Sequence, residues 1–407
     1  MLLRALPLVF VLAGLAFYAV LAGADFGAGF WELLAGRGKR ARKVREYAHN
    51  SMAPVWEANH VWLIFALTVF WTAYPGAFGA IAATLPLPLF IAVIGIIFRG
   101  AAYALRAGAE SARELGLIDT IFSLSSVLVP FALGSAAGAI ATDRVRAGGE
   151  AGSHLFSSWL NASSVFIGLL AVGSCAYVAA VYLAADAARD RDSELERAFR
   201  ARALAMGAIA GAFAIGGIFV VRSDNRALYD SLISGRALPA VIVSALAGVS
   251  TLFFVLRRRF GPARFGAALA VAAIIAGWAL ARWPTILPGL TVERAASGRD
   301  TLVWVVVAVL VGGAILFPSL GLLFRLMLGG RFRAPEQAPA AGQTPGPPRP
   351  QTGLARRGAI ACLIAGFGLL NVAEAEWEHA VGITCLLAFV VLASGALIFA
   401  ALDERVG

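Results

Sequence analysis

Apolar residues run along this chain in long unbroken stretches. They show neither the alternation of a half-buried strand nor the single stripe of a soluble helix. Stretches of about 20 apolar residues have the length a helix needs to cross a bilayer. They predict spans near 5–25, 54–73, 78–98, 117–141, 160–185, 203–221, 238–256, 265–281 and 301–328, with two more near 358–373 and 380–401. Pro86, Pro88 and Pro130 fall inside the third and fourth spans, where bundled membrane helices tolerate proline. Arg4, the first run and Ala22-Gly23-Ala24 mimic a cleavable signal peptide. The basic stretch that follows resists translocation, so the run is read as the first span. Residues 331–353 are rich in Pro, Gly and Gln and predict a semi-extended linker. The expected fold is an all-α, polytopic membrane bundle. It has a nine-helix body over 1–330, the linker 331–353 and a C-terminal two-helix hairpin over 354–407.

Composition supports that pattern. Of the 407 residues, 60% are hydrophobic and 14% charged, whereas soluble domains average about 45–50% and about 25%. A soluble core or a disordered chain is excluded. The formal charge of +10 would suggest nucleic acid in a soluble protein. Here the basic residues cluster in every second loop, at Arg37–Arg45, Arg99–Arg113, Arg189–Arg202, Arg257–Arg264 and Arg325–Arg357. That bias sets topology, with the N-terminus outside and the C-terminus inside, and no nucleic-acid partner is expected. Cys175, Cys362 and Cys385 stand singly, which excludes iron–sulfur and structural zinc motifs of the usual spacing.

Ionisable groups at membrane depth are costly and therefore candidates for function. Asp25 closes the first predicted span, Glu57 opens the second, Arg99 closes the third and Asp119 opens the fourth. Alternation brings all four to the inner side, where carboxylates near one arginine can hold protons or cations. The densest stretch is Ala-Pro-Val-Trp-Glu-Ala-Asn-His-Val-Trp-Leu-Ile at 53–64. Glu57 and His60 are three apart and share a helix face near Trp56 and Asn59, and a histidine titrates near neutral pH, so the cluster can relay protons. A packed polar seam between helices would use the same residues. An ion-coupled transporter or channel is the competing functional class. Gly23 and Gly27, four apart, suit close helix packing. Of His49, His60, His154, His379, Met1, Met52, Met206 and Met327, only His60 lies well inside a body span, and there is no C-x-x-C-H. No cofactor or metal site is expected on this chain alone. Arg282–Thr291 reads as an interfacial turn, and Glu374, Glu376 and Glu378 read as a solvated outer turn of the hairpin.

Four segments then stand out together: Gly-Ala-Asp-Phe-Gly-Ala-Gly at 23–29, Ser-Met-Ala-Pro-Val-Trp-Glu-Ala-Asn-His-Val-Trp-Leu-Ile at 51–64, Phe-Arg-Gly at 98–100, and the stretch 282–302 beginning Arg-Trp-Pro-Thr-Ile-Leu-Pro-Gly. In this order they closely resemble subunit II of cytochrome bd-type quinol oxidases, including the cyanide-insensitive branch, over about residues 1–330. The resemblance implies a nine-helix subunit of the bacterial cytoplasmic membrane, paired with a homologously folded subunit I. That partner would carry two haem b and one haem d, or a b-type replacement, and small accessory membrane subunits are a further partner class. The complex would oxidise quinol and reduce oxygen to water with protons from the inner side. The resemblance assigns part of the proton route to Asp25 and Glu57, with Arg99 and Trp56 nearby. Many relatives have aspartate where Glu57 stands, and the linker and hairpin exceed the usual family length.

Overall fold

The computed structural model describes residues 2–36, 38–52, 56–106, 111–148 and 155–328, and beyond these residues 358, 360–362, 364–366, 377, 381–382, 384–389 and 392. The side chains of 52, 56–58, 112, 320 and 323–328 are excepted. The linker 331–353, most of the hairpin with its acidic turn, and His154 and His379 therefore lie outside the described residues. The chain divides into two compact units, Met1–Leu320 and Gly321–Gly407.

The first unit is built from long helices. They are α1 (Leu2–Leu33), α2 (Lys39–Met52), α3 (Trp56–Ala73), α4 (Pro75–Thr84), α5 (Pro86–Arg106), α6 (Ala112–Ala141), α7 (Ala162–Arg189), α8 (Ser193–Asp224), α9 (Arg226–Ser234), α10 (Leu238–Leu256) and α11 (Phe260–Arg282). A two-stranded hairpin, β1 (Thr285–Leu287) and β2 (Leu290–Thr291), leads through α12 (Val292–Ala295) to α13 (Arg299–Leu328). Eight helices among the described residues are long and apolar enough to span a bilayer. The count is nine if α3 and α4, bent by 117° at their junction, make one span. The first unit is therefore a helical membrane bundle that carries one short β-hairpin. In the second unit, a Cβ on Gly366 would stand 2.8 Å from Leu386 and one on Gly358 would stand 3.5 Å from Leu392, which pairs the two helical stretches antiparallel.

Several boundaries differ from expectation for identifiable reasons. The helix α1 continues eight residues past Asp25, because Phe26, Ala28 and Trp31 bury their side chains in the bundle. The predicted third span, 78–98, is cut at Leu85, since Pro75 and Pro86 each occupy the first turn of a new helix, where their missing N–H costs nothing. The basic loop after the first span contains α2. Its Ala41, Val44 and Ala48 fall three and four apart and are buried, leaving the charges on the other face. The turn expected at 282–291 is the β1–β2 hairpin, with Gly289 supplying the positive φ of 76°.

The middle of the bundle is α7, whose Ala176, Val178, Ala179, Ala180, Val181 and Leu183 are all buried. A helix buried on all faces needs no polar side, and α7 has none over that stretch. One end of the bundle collects the basic loops. Lys43 of α2 lies 2.6 Å from Asp192, the N-cap of α8, and Tyr47 donates to Asp190 at 2.8 Å. Arg264 of α11 meets Asp186 of α7 at 2.5 Å, and Arg200 donates to the carbonyls of Val255 and Leu256 at the end of α10. At the opposite end, the Tyr74 hydroxyl donates to the carbonyl of Arg4 at 2.6 Å, and Asn225 donates to Asp143 at 2.8 Å.

The hydrogen bond from Lys43, with further help from the Leu195 N–H, holds the Asp192 carboxyl below the usual carboxylate range, and the same contact raises Lys43. A depressed carboxyl pKa contributes stability above the ordinary value near 4, and that contribution disappears as pH falls through the lowered one. Asp192→Ala should therefore lower the thermal unfolding midpoint in detergent at pH 7. The difference from the parent should shrink as the pH is taken below about 4.

Candidate functional site

The lengthening of α1 and α5 changes where two candidate residues sit. Asp25 is eight residues from the end of α1 and Arg99 seven from the end of α5, so each lies about 10–12 Å inside its helix's basic end. There they meet. The Arg99 side chain is 1% exposed and that of Asp25 0%. Nη2 of Arg99 donates to Oδ1 of Asp25 at 2.7 Å and to its backbone carbonyl at 2.9 Å, while Nε donates to Oδ2 at 3.2 Å. Nη1 donates to the Ser126 hydroxyl of α6, which in turn donates to the Phe122 carbonyl at 2.6 Å. The guanidinium carbon lies 3.9 Å from the centroid of the Phe122 ring and 5.1 Å from that of Phe26.

Four of the five guanidinium N–H groups thus have oxygen acceptors, and the plane rests on an aromatic face. Taking an arginine and an aspartate fully out of water costs several kcal/mol per ion, and only near-complete hydrogen bonding offsets it. The sequence leaves room for that geometry. A side chain on Gly29, four residues beyond Asp25, would overlap Ser126 and stand 3.1 Å from Nη1 of Arg99. One on Gly27 would overlap the Cys175 carbonyl of α7, whereas one on Gly23 would stand an ordinary 3.6 Å from the Cys175 sulfur. Of the two glycines expected to pack α1 closely, Gly27 is the one the contact requires.

The other candidates are placed less centrally. Asp119 does not join Asp25 at Arg99; it pairs with Arg106, the last residue of α5, and both side chains are about a quarter to a third exposed. Exposed pairs of this kind contribute about 0–1 kcal/mol. Of the four ionisable residues expected together on the inner side, Asp25 and Arg99 therefore meet while Asp119 stands apart. His60 of α3 lies edge-on to Tyr18 and Phe26, at centroid distances of 6.0 and 6.1 Å, on the rim of the Asp25 level. Asn59, beside it, donates to the Leu21 carbonyl of α1 at 3.2 Å. Trp56 and Glu57 begin α3, and their side chains lie outside the described residues.

Sequence reasoning missed Ser126, Phe122 and Gly29, and also a second buried pair. Glu32 of α1 and His49 of α2 are 3% and 8% exposed and face each other at 3.5 Å. The signal for Glu32 was its spacing: seven residues after Asp25, it shares that helix face once α1 is known to continue. No group of three or more potential metal ligands occurs among the described residues.

Comparison with known proteins supplies a family. The sequence profile described as cytochrome bd terminal oxidase subunit II matches residues 3–327. A Bacillus subtilis (strain 168) protein proposed to be subunit II of a cytochrome bd menaquinol oxidase is 25% identical over 331 residues, 76% of this chain and 91% of that protein. Subunit 2 of the Escherichia coli (strain K12) cytochrome bd-I ubiquinol oxidase is 28% identical over 121 residues, 30% of this chain and 31% of its own length. In fold, the chain resembles one in the structure of the bd oxidase from Geobacillus thermodenitrificans. The TM-score is 0.66 at 24% identity, covering 81% of this chain and 99% of that one.

The tight α1–α7 contact gives a direct check. Gly27→Ala should destabilise the bundle by about 1–3 kcal/mol through overpacking, seen as a lowered unfolding midpoint in detergent. Gly23→Ala should be close to neutral in the same measurement.

Proposed function

Because the chain belongs to the cytochrome bd terminal oxidase subunit II family, and is thus a membrane subunit of a quinol:oxygen oxidoreductase, we propose that it conducts protons at the Asp25 level to a haem-bearing partner. That partner is subunit I of the complex, holding two haem b and one haem d or its b-type replacement. Quinol is oxidised there, and the reduction of oxygen to water consumes the protons. In the bacterial cytoplasmic membrane the basic end of the bundle faces inward and the N-terminus outward, as the loop charges favour. The oxidase role belongs to residues 1–330, with the later hairpin a separable unit.

The described histidines do not fit a haem in this chain. His49 is stacked on Tyr103 with ring centroids 4.9 Å apart and meets Phe122 at 5.3 Å, while the Nε2 atom of His60 is buried between aromatic neighbours. No redox step is therefore assigned here, and the work of this subunit is to hold charge and protons.

One observation carries the proton reading. Arg99 keeps three partners other than the Asp25 carboxylate: the Asp25 backbone carbonyl, Ser126 and the Phe122 ring. A proton arriving on the carboxylate therefore leaves the arginine hydrogen-bonded to the Asp25 carbonyl and Ser126, so its side chain keeps its place while Asp25 is loaded. Glu57, at the start of α3, and His60, on the rim, are the next groups in the proposed route. Trp56 borders it, and Asp119 with Arg106 stands at its inner margin.

The test is made in the assembled oxidase. Asp25→Asn keeps the shape and should slow oxygen consumption by about tenfold or more with the haem absorbance of the complex unchanged. Glu57→Gln should also slow turnover. Joint loss of haem and activity would make these residues structural, and unchanged turnover in the double variant would remove the proton role.

A further inference from the structure

We infer that Glu32 and His49 form a second proton-holding pair, on the inner side of Asp25, through which Asp25 is loaded. The inference rests on the reading of Asp25 as a proton carrier and adds two residues that the family resemblance did not supply.

The placement is specific. Glu32 follows Asp25 by seven residues on α1, so it lies on the same face about 10 Å nearer the basic end. His49 comes from the last turn of α2, the helix that the Lys43, Tyr47 and Asp192 contacts hold against that end. Two rings join this pair to the one above it. His49 stacks on Tyr103 at 4.9 Å, Tyr103 meets Phe122 edge-on at 5.2 Å, and Phe122 carries the Arg99 guanidinium on its face. The Tyr103 hydroxyl donates to the His49 backbone carbonyl at 3.4 Å. Glu32, His49, Tyr103, Arg99 and Asp25 therefore form one column from the basic end to the buried ion pair.

The two pairs differ in a way that suits different work. At the Asp25 level the arginine is bonded at nearly every N–H. Between Glu32 and His49 the gap is 3.5 Å, and neither Oε1 of Glu32 nor Nδ1 of His49 has a hydrogen-bond partner among the described residues. A buried pair built only for strength would close to about 2.7–2.9 Å. Moving a proton from carboxylic acid to imidazole turns a neutral pair into an ion pair without changing the net charge. Burial opposes the ions while their mutual attraction favours them. Such a pair accepts a proton from the inner solution on one group and releases one toward Asp25 from the other. No electrons move in this step, and each proton taken up is matched by one passed on.

The experiment uses the assembled oxidase and measures oxygen consumption together with haem content. Glu32→Gln should cut turnover by about tenfold at normal haem content, and Glu32→Asp should retain most of it. Added formate, a small weak acid, should restore part of the rate in Glu32→Gln, which a packing defect would not allow. His49→Asn should behave like Glu32→Gln. Full turnover in Glu32→Gln while Asp25→Asn is slow would overturn this inference alone. Full turnover in both would overturn the reading on which it rests. Loss of haem with activity in both Glu32→Gln and His49→Asn, without any return in formate, would also overturn it by making the pair structural.

Discussion

A guanidinium removed from water in the middle of a helical bundle must find its acceptors among its neighbours, and much of this structure follows from how Arg99 does so. Asp25 supplies two carboxylate oxygens and a carbonyl, Ser126 a hydroxyl and Phe122 a ring. These groups belong to α1 and α6, so one side chain of α5 fixes three helices in rotation and depth at once. The glycines complete the arrangement. Gly29 clears the space into which the arginine fits, and Gly27 lets the α7 backbone close on the other side of α1. A site of this kind is poor evidence for stability in itself, because an apolar core could replace it at little cost.

The two ends of the bundle are closed by different contacts. The basic end is tied by exposed pairs and carbonyl contacts among α2, α7, α8, α10 and α11, individually weak but shared across many elements. It covers the C-terminal end of α1, which carries Asp25 and Glu32. The opposite end is closed by Tyr74 on the Arg4 carbonyl, by Asn225 on Asp143, and by the ion pairs Arg282–Asp143 and Arg144–Asp224. The column of ionisable groups begins under the basic end and stops at the Asp25 level.

The bundle was largely legible in the sequence because apolar runs of spanning length have few alternatives in water. The long apolar spans could be read there, and Asp25 and Arg99 could be singled out as ionisable residues beside them. The depth of those two residues could not. A linear reading ends the first span at its first acid, whereas the helix continues because Arg99, 74 residues away, compensates that acid. The misplacement of Asp119 has the same origin, since its partner Arg106 lies beyond the predicted end of α5. Other features were visible but outweighed. The spacing of Ala41, Val44 and Ala48 encodes α2, and Pro75 and Pro86 mark the α4 and α5 starts, yet charge and hydropathy dominated both stretches.

The claim on which all of this depends is that Asp25 and Arg99 act as one buried unit. A double-mutant cycle on the assembled oxidase, with Arg99→Met and Asp25→Leu read by unfolding midpoint and haem content, isolates it. Each single change leaves one charge uncompensated in the bundle and should cost about 3–5 kcal/mol. The double variant, which removes both charges, should recover a large part of that loss, giving a coupling of about 2 kcal/mol or more. Penalties that simply add would contradict the account, because the two residues would then be contributing independently.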